Sequence, residues 1–280
     1  MKSELLEDIQ EQKESVNLAI DSDSLLFLSC YALKDTKDLE AMYVDFWMRV
    51  KSIENEVWKD YEIDKIVIAL TSKVNFRHDL TEKWKANRRD KDEAELTDKQ
   101  IESQRKAREL KDLVRDVKGL IYKRMNKADN RTVVATNIAE ADDIIIDLAY
   151  NGWVLASIDS DVIKQSPTPV FNFHKKHWKW TDGNSDDDIF FHIIYDCLQG
   201  GHNDSVTVKG CGKVCATKFI KELEVGDKSF VDFTDMFDTP SEALLSYRLN
   251  DNNQVKNGKL RLITIEELSE KFEMYCGDKF

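Results

Sequence analysis

Proline and glycine are scarce in this chain of 280 residues, at three and ten. Together with 41% apolar and 34% charged residues, that excludes a collagen-like repeat and low-complexity disorder. The length suits one large domain, or one domain with a smaller appendage, and buries a sizeable core. Long apolar runs are missing too. None approaches the roughly 18 residues that a membrane span needs, and the opening MKSELLEDIQEQKE is too acidic for a signal or transit peptide. The protein is therefore expected to be soluble, intracellular and cytoplasmic. The five cysteines, Cys30, Cys197, Cys211, Cys215 and Cys276, are odd in number and form no CxxC. Neither a disulfide framework nor a zinc ribbon is expected, and all five are read as buried thiols.

Positive charge is also in deficit, with a net charge of -12. An acidic surface repels a polyanion, but the average conceals an asymmetry. Residues 73 to 131 carry 18 Lys/Arg against 12 Asp/Glu, a local +6, and the remainder is at -18. A basic channel inside an acidic protein still binds phosphates, and clustered carboxylates hold divalent cations, so net charge does not decide the matter.

What is present is a series of short apolar runs: VNLAI (16 to 20), KIVIAL (65 to 70), TVVAT (132 to 136), WVLASI (153 to 158) and PVFNF (169 to 173). Between the first two lies helical periodicity through Leu39, Met42, Tyr43, Phe46, Val50, Ile53 and Val57. Short apolar strands alternating with helices predict a parallel α/β sheet covered on both faces. The stretch 73 to 131 is long, charged and helical in composition with no strand candidate, and reads as an insertion. Gly200 and Gly201 should end a helix that begins near Asp186. A boundary near residue 200 divides an α/β core (1 to 200) from a small helical C-terminal region (201 to 280). Within that region VKGCGKVCATKFIKEL (208 to 223) reads as a glycine turn opening a helix.

The strands place the carboxylates. Asp21 follows VNLAI, Asp159 and Asp161 follow WVLASI, and Glu140, Asp142 and Asp143 lie in EADDIII, after TVVAT at a helix start. In an open parallel sheet functional groups gather outside the carboxyl ends of the strands. Two like charges about 4 Å apart repel by about 4 kcal/mol at an effective dielectric near 20, so such a cluster calls for a cation. Oxygen donors without soft ligands select Mg²⁺ or Mn²⁺, and two such ions activate water against a phosphodiester. Each aspartate taken singly has a simpler reading as a helix N-cap. The ordered combination is what points to metal.

These residues, in order, resemble the 5′-to-3′ exonuclease and flap endonuclease family, a PIN-like superfamily, and its bacteriophage members in particular. The blocks that carry the resemblance are AIDSDSLLF (19 to 27), VNFRHDLTEKWKANRRD (74 to 90), EADD (140 to 143), SIDSD (157 to 161) and HNDSVTVKGCGKVCATKF (202 to 219). The resemblance implies an α/β nuclease core with a helical arch over the active site and a helix-hairpin-helix type motif behind it. It assigns Asp21, Glu140 and Asp142 to a first metal cluster, with Asp143 beside them, and Asp159, Asp161 and Asp204 to a second. Lys85 matches a lysine that contacts the scissile phosphate, and Arg88 the arginine beside it. It further implies DNA with a free 5′ end, flap or recessed end as substrate, with RNA of RNA-DNA hybrids and primer removal as extensions, and replication proteins as partners of a monomer.

Independently of that, Arg77, Lys83, Lys85, Arg88 and Arg89 interleaved with Phe76 and Trp84 combine charge for phosphates with flat faces for unstacked bases, although such a stretch is often only a solvated helix. In the hairpin segment the backbone at Gly210 and Gly212 can approach phosphates, with Lys209 and Lys213 supplying charge; the family sometimes binds K⁺ there.

Two departures stand out. Ser72 and Gly201 occupy positions where many family members carry metal-proximal aspartates, with His202 or Asn203 near the second gap. A rival reading follows: a catalytically impaired, structure-selective DNA-binding protein of the same fold. A PIN-like ribonuclease is a further rival, without the long arch and hairpin. His174 and His177 are read as surface residues, His78 as a residue beside the DNA, and Asp186 to Asp188 as a helix cap with dipole-favoured charge.

Overall fold

The computed structural model describes residues 13–71, 75–82, 84, 96–124, 131–136, 138–179, 182–200, 206 and 208–276. Its centre is a six-stranded sheet. The strands are β1 (Ser15–Asp21), β2 (Glu62–Ala69), β3 (Arg131–Val134), β4 (Val154–Ala156), β5 (Val170–Asn172) and β6 (His177–Lys179), in the order β3-β2-β1-β4-β5-β6. The first five run parallel, and β6 returns antiparallel to β5. Leu18, Ala19 and Ile20 of β1 are fully buried, as a central strand covered on both faces requires. The five apolar runs are therefore the five parallel strands.

One face is covered by α1 (Asp23–Leu33), α2 (Leu39–Val57) and the second half of α4 (Asp98–Arg124). Helix α2 starts where Asp38 accepts hydrogen bonds from the Glu40 and Ala41 amides, both at 3.0 Å. Its buried stripe of Met42, Phe46, Val50, Ile53 and Val57 recurs every three or four residues. At about 1.5–3 kcal/mol per side chain that burial contributes on the order of 10 kcal/mol. Val117 and Ile121, one turn apart on α4, are fully buried in the same core. The second half of α4 thus packs into the body of the protein.

The opposite face carries α5 (Ala141–Ala149), followed after β4 by α6 (Ser160–Gln165); a five-residue helix, α3 (Phe76–Leu80), precedes α4. Helices α7 (Asp186–Gln199), α8 (Lys213–Glu224), α9 (Phe230–Thr234), α10 (Pro240–Asn250) and α11 (Ile265–Cys276) share a second core with Phe190, Ile194, Phe233, Tyr247 and Phe272 at its centre. Because α7 belongs to it, a division near residue 200 separates helices that bury one another. A small hairpin, β7 (Val255–Lys256) and β8 (Lys259–Leu260), reaches back so that Val255 packs with α5.

Three local expectations are corrected. Cys211 and Cys215 are joined in a disulfide, because the turn before α8 brings their Cα atoms to 5.1 Å, within the span of such a bridge; Cys30 and Cys197 are buried thiols and Cys276 is only partly buried. Helix α7 is capped by Ser185, whose hydroxyl accepts from the Asp188 amide, so Asp186 to Asp188 form its first turn instead of the cap. Strand β6, with one aromatic between polar ends, carries no apolar run and escapes a search for them. No helix among the described residues is long and apolar enough to cross a membrane.

Candidate active site

The sheet order explains where the carboxylates meet. From β1 the chain builds outward through β2 to β3, then crosses by α5 to β4 on the other side of β1. That crossover carries α5 over β1, so its N-terminus stands beside the carboxyl end of β1, and the end of β4 lies next to it. Asp21, Asp23, Glu140, Asp142, Asp159 and Asp161 all line one cleft of about 380 Å³ at this edge. All five described metal-ligand candidates are brought together, and Asp23 joins them from the same DSD motif. Asp204 lies outside the described residues, as do Ser72, Lys83, Lys85, Arg88, Arg89, Gly201, His202 and Asn203.

Backbone and hydroxyl contacts fix these side chains. The Ser157 hydroxyl donates to Asp21 Oδ2 at 3.0 Å while accepting the Asp159 amide at 3.0 Å, which ties the exit of β4 to that of β1. Asp159 caps α6 by accepting the Asp161 amide at 2.8 Å. Thr71, just past β2, accepts the Ala141 amide at 2.8 Å, and its own amide donates to Asp23. Lys118 of α4 pairs with Asp23 at 3.3 Å and also donates to the Thr71 carbonyl. Glu140 and Asp143 form a capping box at the start of α5, with the Glu140 amide donating to Asp143 Oδ2 at 2.9 Å. Asn75 donates to Glu140 Oε1 at 3.1 Å. Both the cap reading and the cleft reading hold for Asp159, since one carboxylate oxygen serves the helix and its side chain still faces the cleft.

The electrostatics are those of crowded anions. Burial, reinforced by the charges of Asp23 and Asp159 and opposed by the Ser157 hydrogen bond, pushes the Asp21 carboxyl up to about 7. Asp142 is pushed well above the usual carboxylate range by burial and then by Asp21, Asp159, Glu140 and Asp143. Every donor on this wall is an oxygen, the set that suits a hard divalent ion. As the side chains stand, no three His, Cys, Asp or Glu residues among those described form a group that could hold a metal ion.

Two expected DNA contacts are corrected. Arg77 is 1% and Trp84 2% exposed. Arg77 makes a two-pronged ion pair with Asp143 at 2.6 and 2.7 Å, and the Trp84 ring lies over the guanidinium with 5.2 Å between them. Both reach the cleft wall, but neither offers a free surface. Asp143 is fully buried against Arg77 and does not line the cleft. In the hairpin, Lys209, Gly210, Gly212 and Lys213 are exposed. Gly210 has φ +79°, which glycine adopts without strain, and Gly212 caps α8 with no side chain over its first amides. His78, His174 and His177 are exposed.

A solved structure of the T5 D15 protein co-crystallised with metal ions has the same fold, with a TM-score of 0.60 at 13% identity over 93% of this chain and 99% of that one. The catalytic core of Rad2 in complex with a DNA substrate aligns with a TM-score of 0.49 at 15% identity, over 94% of this chain and 88% of that one. No protein-family model matches the sequence, and no curated protein does. The architecture, a mostly parallel six-stranded sheet with helices on both faces, is that of the T5 D15 protein.

Proposed function

We propose that the protein is a divalent-metal-dependent 5′ nuclease that hydrolyses phosphodiesters near DNA 5′ ends, as an exonuclease and structure-specific flap endonuclease, with the RNA of RNA-DNA hybrids as a further substrate. The observation that carries this reading is the convergence of carboxylates from three separate loops on one cleft at the carboxyl edge of the sheet. The raised Asp21 and Asp142 supply the fit: a carboxyl that is costly to ionise alone becomes favourable to ionise beside a cation.

Asp21, Glu140 and Asp142 would hold one Mg²⁺ or Mn²⁺, and Asp159 and Asp161 with Asp204 a second. Bound ions would supply a water nucleophile at neutral pH and screen the charge building on the phosphate. The chain's own residues do the rest. Ser157 and the α6 cap hold Asp21 and Asp159 in place, and Glu140 is steadied by Asn75. Lys85 and Arg88 steer and stabilise the phosphate, while Lys209, Gly210, Gly212 and Lys213 grip the duplex, with K⁺ at the turn. Mg²⁺ keeps several waters and needs only one or two direct carboxylates, so the described side chains need not form a tight three-ligand group to hold it.

Ser72 and Gly201, standing where aspartates are expected, favour the second reading, a structure-selective DNA-binding protein of the same fold. A labelled 5′ flap and a recessed-end duplex separate the two. Cleavage in Mg²⁺ or Mn²⁺ that disappears in EDTA and in Asp142→Ala, with Asp142→Ala still binding the flap, supports the nuclease. Binding without cleavage in either ion supports the second reading. Equal cutting of single-stranded RNA lacking a free 5′ end would point to a PIN-like ribonuclease.

A further inference from the structure

Arg77 begins the arch segment, in a stretch rich in lysine and arginine, yet its guanidinium is spent entirely inside the protein. Nη1 donates to Asp143 Oδ2 at 2.6 Å; Nη2 donates to Asp143 Oδ1 at 2.7 Å, to Asn252 Oδ1 at 3.0 Å and to the Asp251 carbonyl at 3.4 Å; Nε donates to the Leu249 carbonyl at 3.2 Å. The Phe76 ring lies 4.5 Å away and seals it with Trp84. Burial works against this charge, but the carboxylates of Asp143, Glu140 and Asp142 outweigh it.

Three segments far apart in sequence meet on one side chain: the arch base, the first turn of α5, and residues 249 to 252. The first of these contacts leads to the carboxylates, because Asp143 accepts the Glu140 amide and Glu140 and Asp142 face the cleft. The last leads to another part of the lining, because Leu249, Asn250 and Asn252 also border that cleft. A planar fork with five donors satisfies all of these acceptors together, which a lysine ammonium cannot do.

We propose that Arg77 is a positioning residue. It sets the first turn of α5 so that Glu140 and Asp142 present to a divalent ion, and it locks the 249 to 252 wall against them. It does not contact DNA phosphate. The inference deepens the nuclease reading, but its main readout, ion affinity of the DNA-free protein, is independent of catalysis.

The test uses the full chain with Arg77→Gln, Arg77→Lys and Asn252→Ala. Mn²⁺ affinity is measured by electron paramagnetic resonance without DNA, and flap affinity in Ca²⁺ across a salt series. Arg77→Gln should weaken Mn²⁺ binding by about 10- to 100-fold, the usual effect of losing a residue that orients a metal ligand. Flap affinity and its salt slope should stay within about twofold of wild type. Arg77→Lys should recover only part of the loss. Asn252→Ala, which leaves the Asp143 pair intact, should weaken Mn²⁺ binding by a few-fold, and it carries the test if Arg77→Gln does not fold. Unchanged Mn²⁺ affinity in Asn252→Ala and, where it folds, in Arg77→Gln overturns the proposal. So does a weaker flap complex with a salt slope lowered by about one, the mark of a lost phosphate contact. If wild-type protein cuts nothing while these variants still lose Mn²⁺ affinity as expected, the positioning role stands and the nuclease reading fails.

Discussion

Replacing Asp21 by asparagine should stabilise the metal-free protein at alkaline pH. Asp21 is 3% exposed and its carboxyl is raised from 3.8 to about 7, by burial first and then by Asp23 and Asp159. The folded state therefore holds a proton that the unfolded chain releases near pH 4. Stability without metal is full below that pH, falls as pH rises toward about 7, and stays at its lower level above. A shift of about three units at 1.36 kcal/mol each sets the penalty at no more than about 4 kcal/mol. The asparagine amide carries no charge at any pH, and its carbonyl oxygen still accepts the Ser157 hydroxyl. In EDTA at pH 8, Asp21→Asn should gain up to about 4 kcal/mol, or up to about 8 °C in Tm at roughly 2 °C per kcal/mol for a chain of this size. At pH 4 or below the gain should vanish. In Mg²⁺ at pH 8 the order should narrow or reverse, because the wild-type carboxylate gains a cation and the amide does not. Urea and thermal unfolding at the two pH values measure this. An Asp21→Asn variant no more stable than wild type at pH 8 in EDTA, or equally stabilised at both pH values, would refute the crowding of anions in the cleft.

Other outcomes follow from the same structure. Ser157→Ala removes the hydroxyl that joins Asp21 to the Asp159 amide, so it should weaken Mn²⁺ binding measured without DNA while lowering stability by about 1 kcal/mol. Phe46→Ala empties a fully buried site in the α1, α2 and α4 layer and should cost about 3–5 kcal/mol in urea unfolding; per folded molecule, Mn²⁺ affinity should be unchanged. Gly183 has φ +77° and faces the Pro167 carbonyl where a Cβ would sit, so Gly183→Ala should lose at least about 2 kcal/mol, seen as a lower urea midpoint.

The strands were legible because a segment buried on both faces must be apolar throughout, and VNLAI and KIVIAL have no competing helical pattern. The start of β2 was less so: Glu62, Asp64 and Lys65 are exposed there, and only pairing with β1 makes them strand. The carboxylates could be read because each follows a strand, and the chain order of a parallel sheet sends all such positions to one edge. Arg77 could not be read in the same way. Arginine in a basic segment resembles a solvated one, and its partners Asp143 and Asn252 lie 66 and 175 positions away. Asp23 stood in a motif with Asp21, but its pairing with Lys118 spans 95 positions. The trace of the buried half of α4 was the spacing of Leu110, Leu113, Val114, Val117 and Ile121 at three and four residues, diluted by the charged residues between them.

If Asp21, Glu140, Asp142, Asp159 and Asp161 share one seat for hard cations, crystals soaked in Mn²⁺ will reveal it by anomalous diffraction. Strong peaks are expected within the cleft, at carboxylate-ligand distances of about 2.0–2.5 Å from these residues and lost in Asp142→Ala. An empty cleft, with Mn²⁺ bound elsewhere or not at all, would contradict the shared seat.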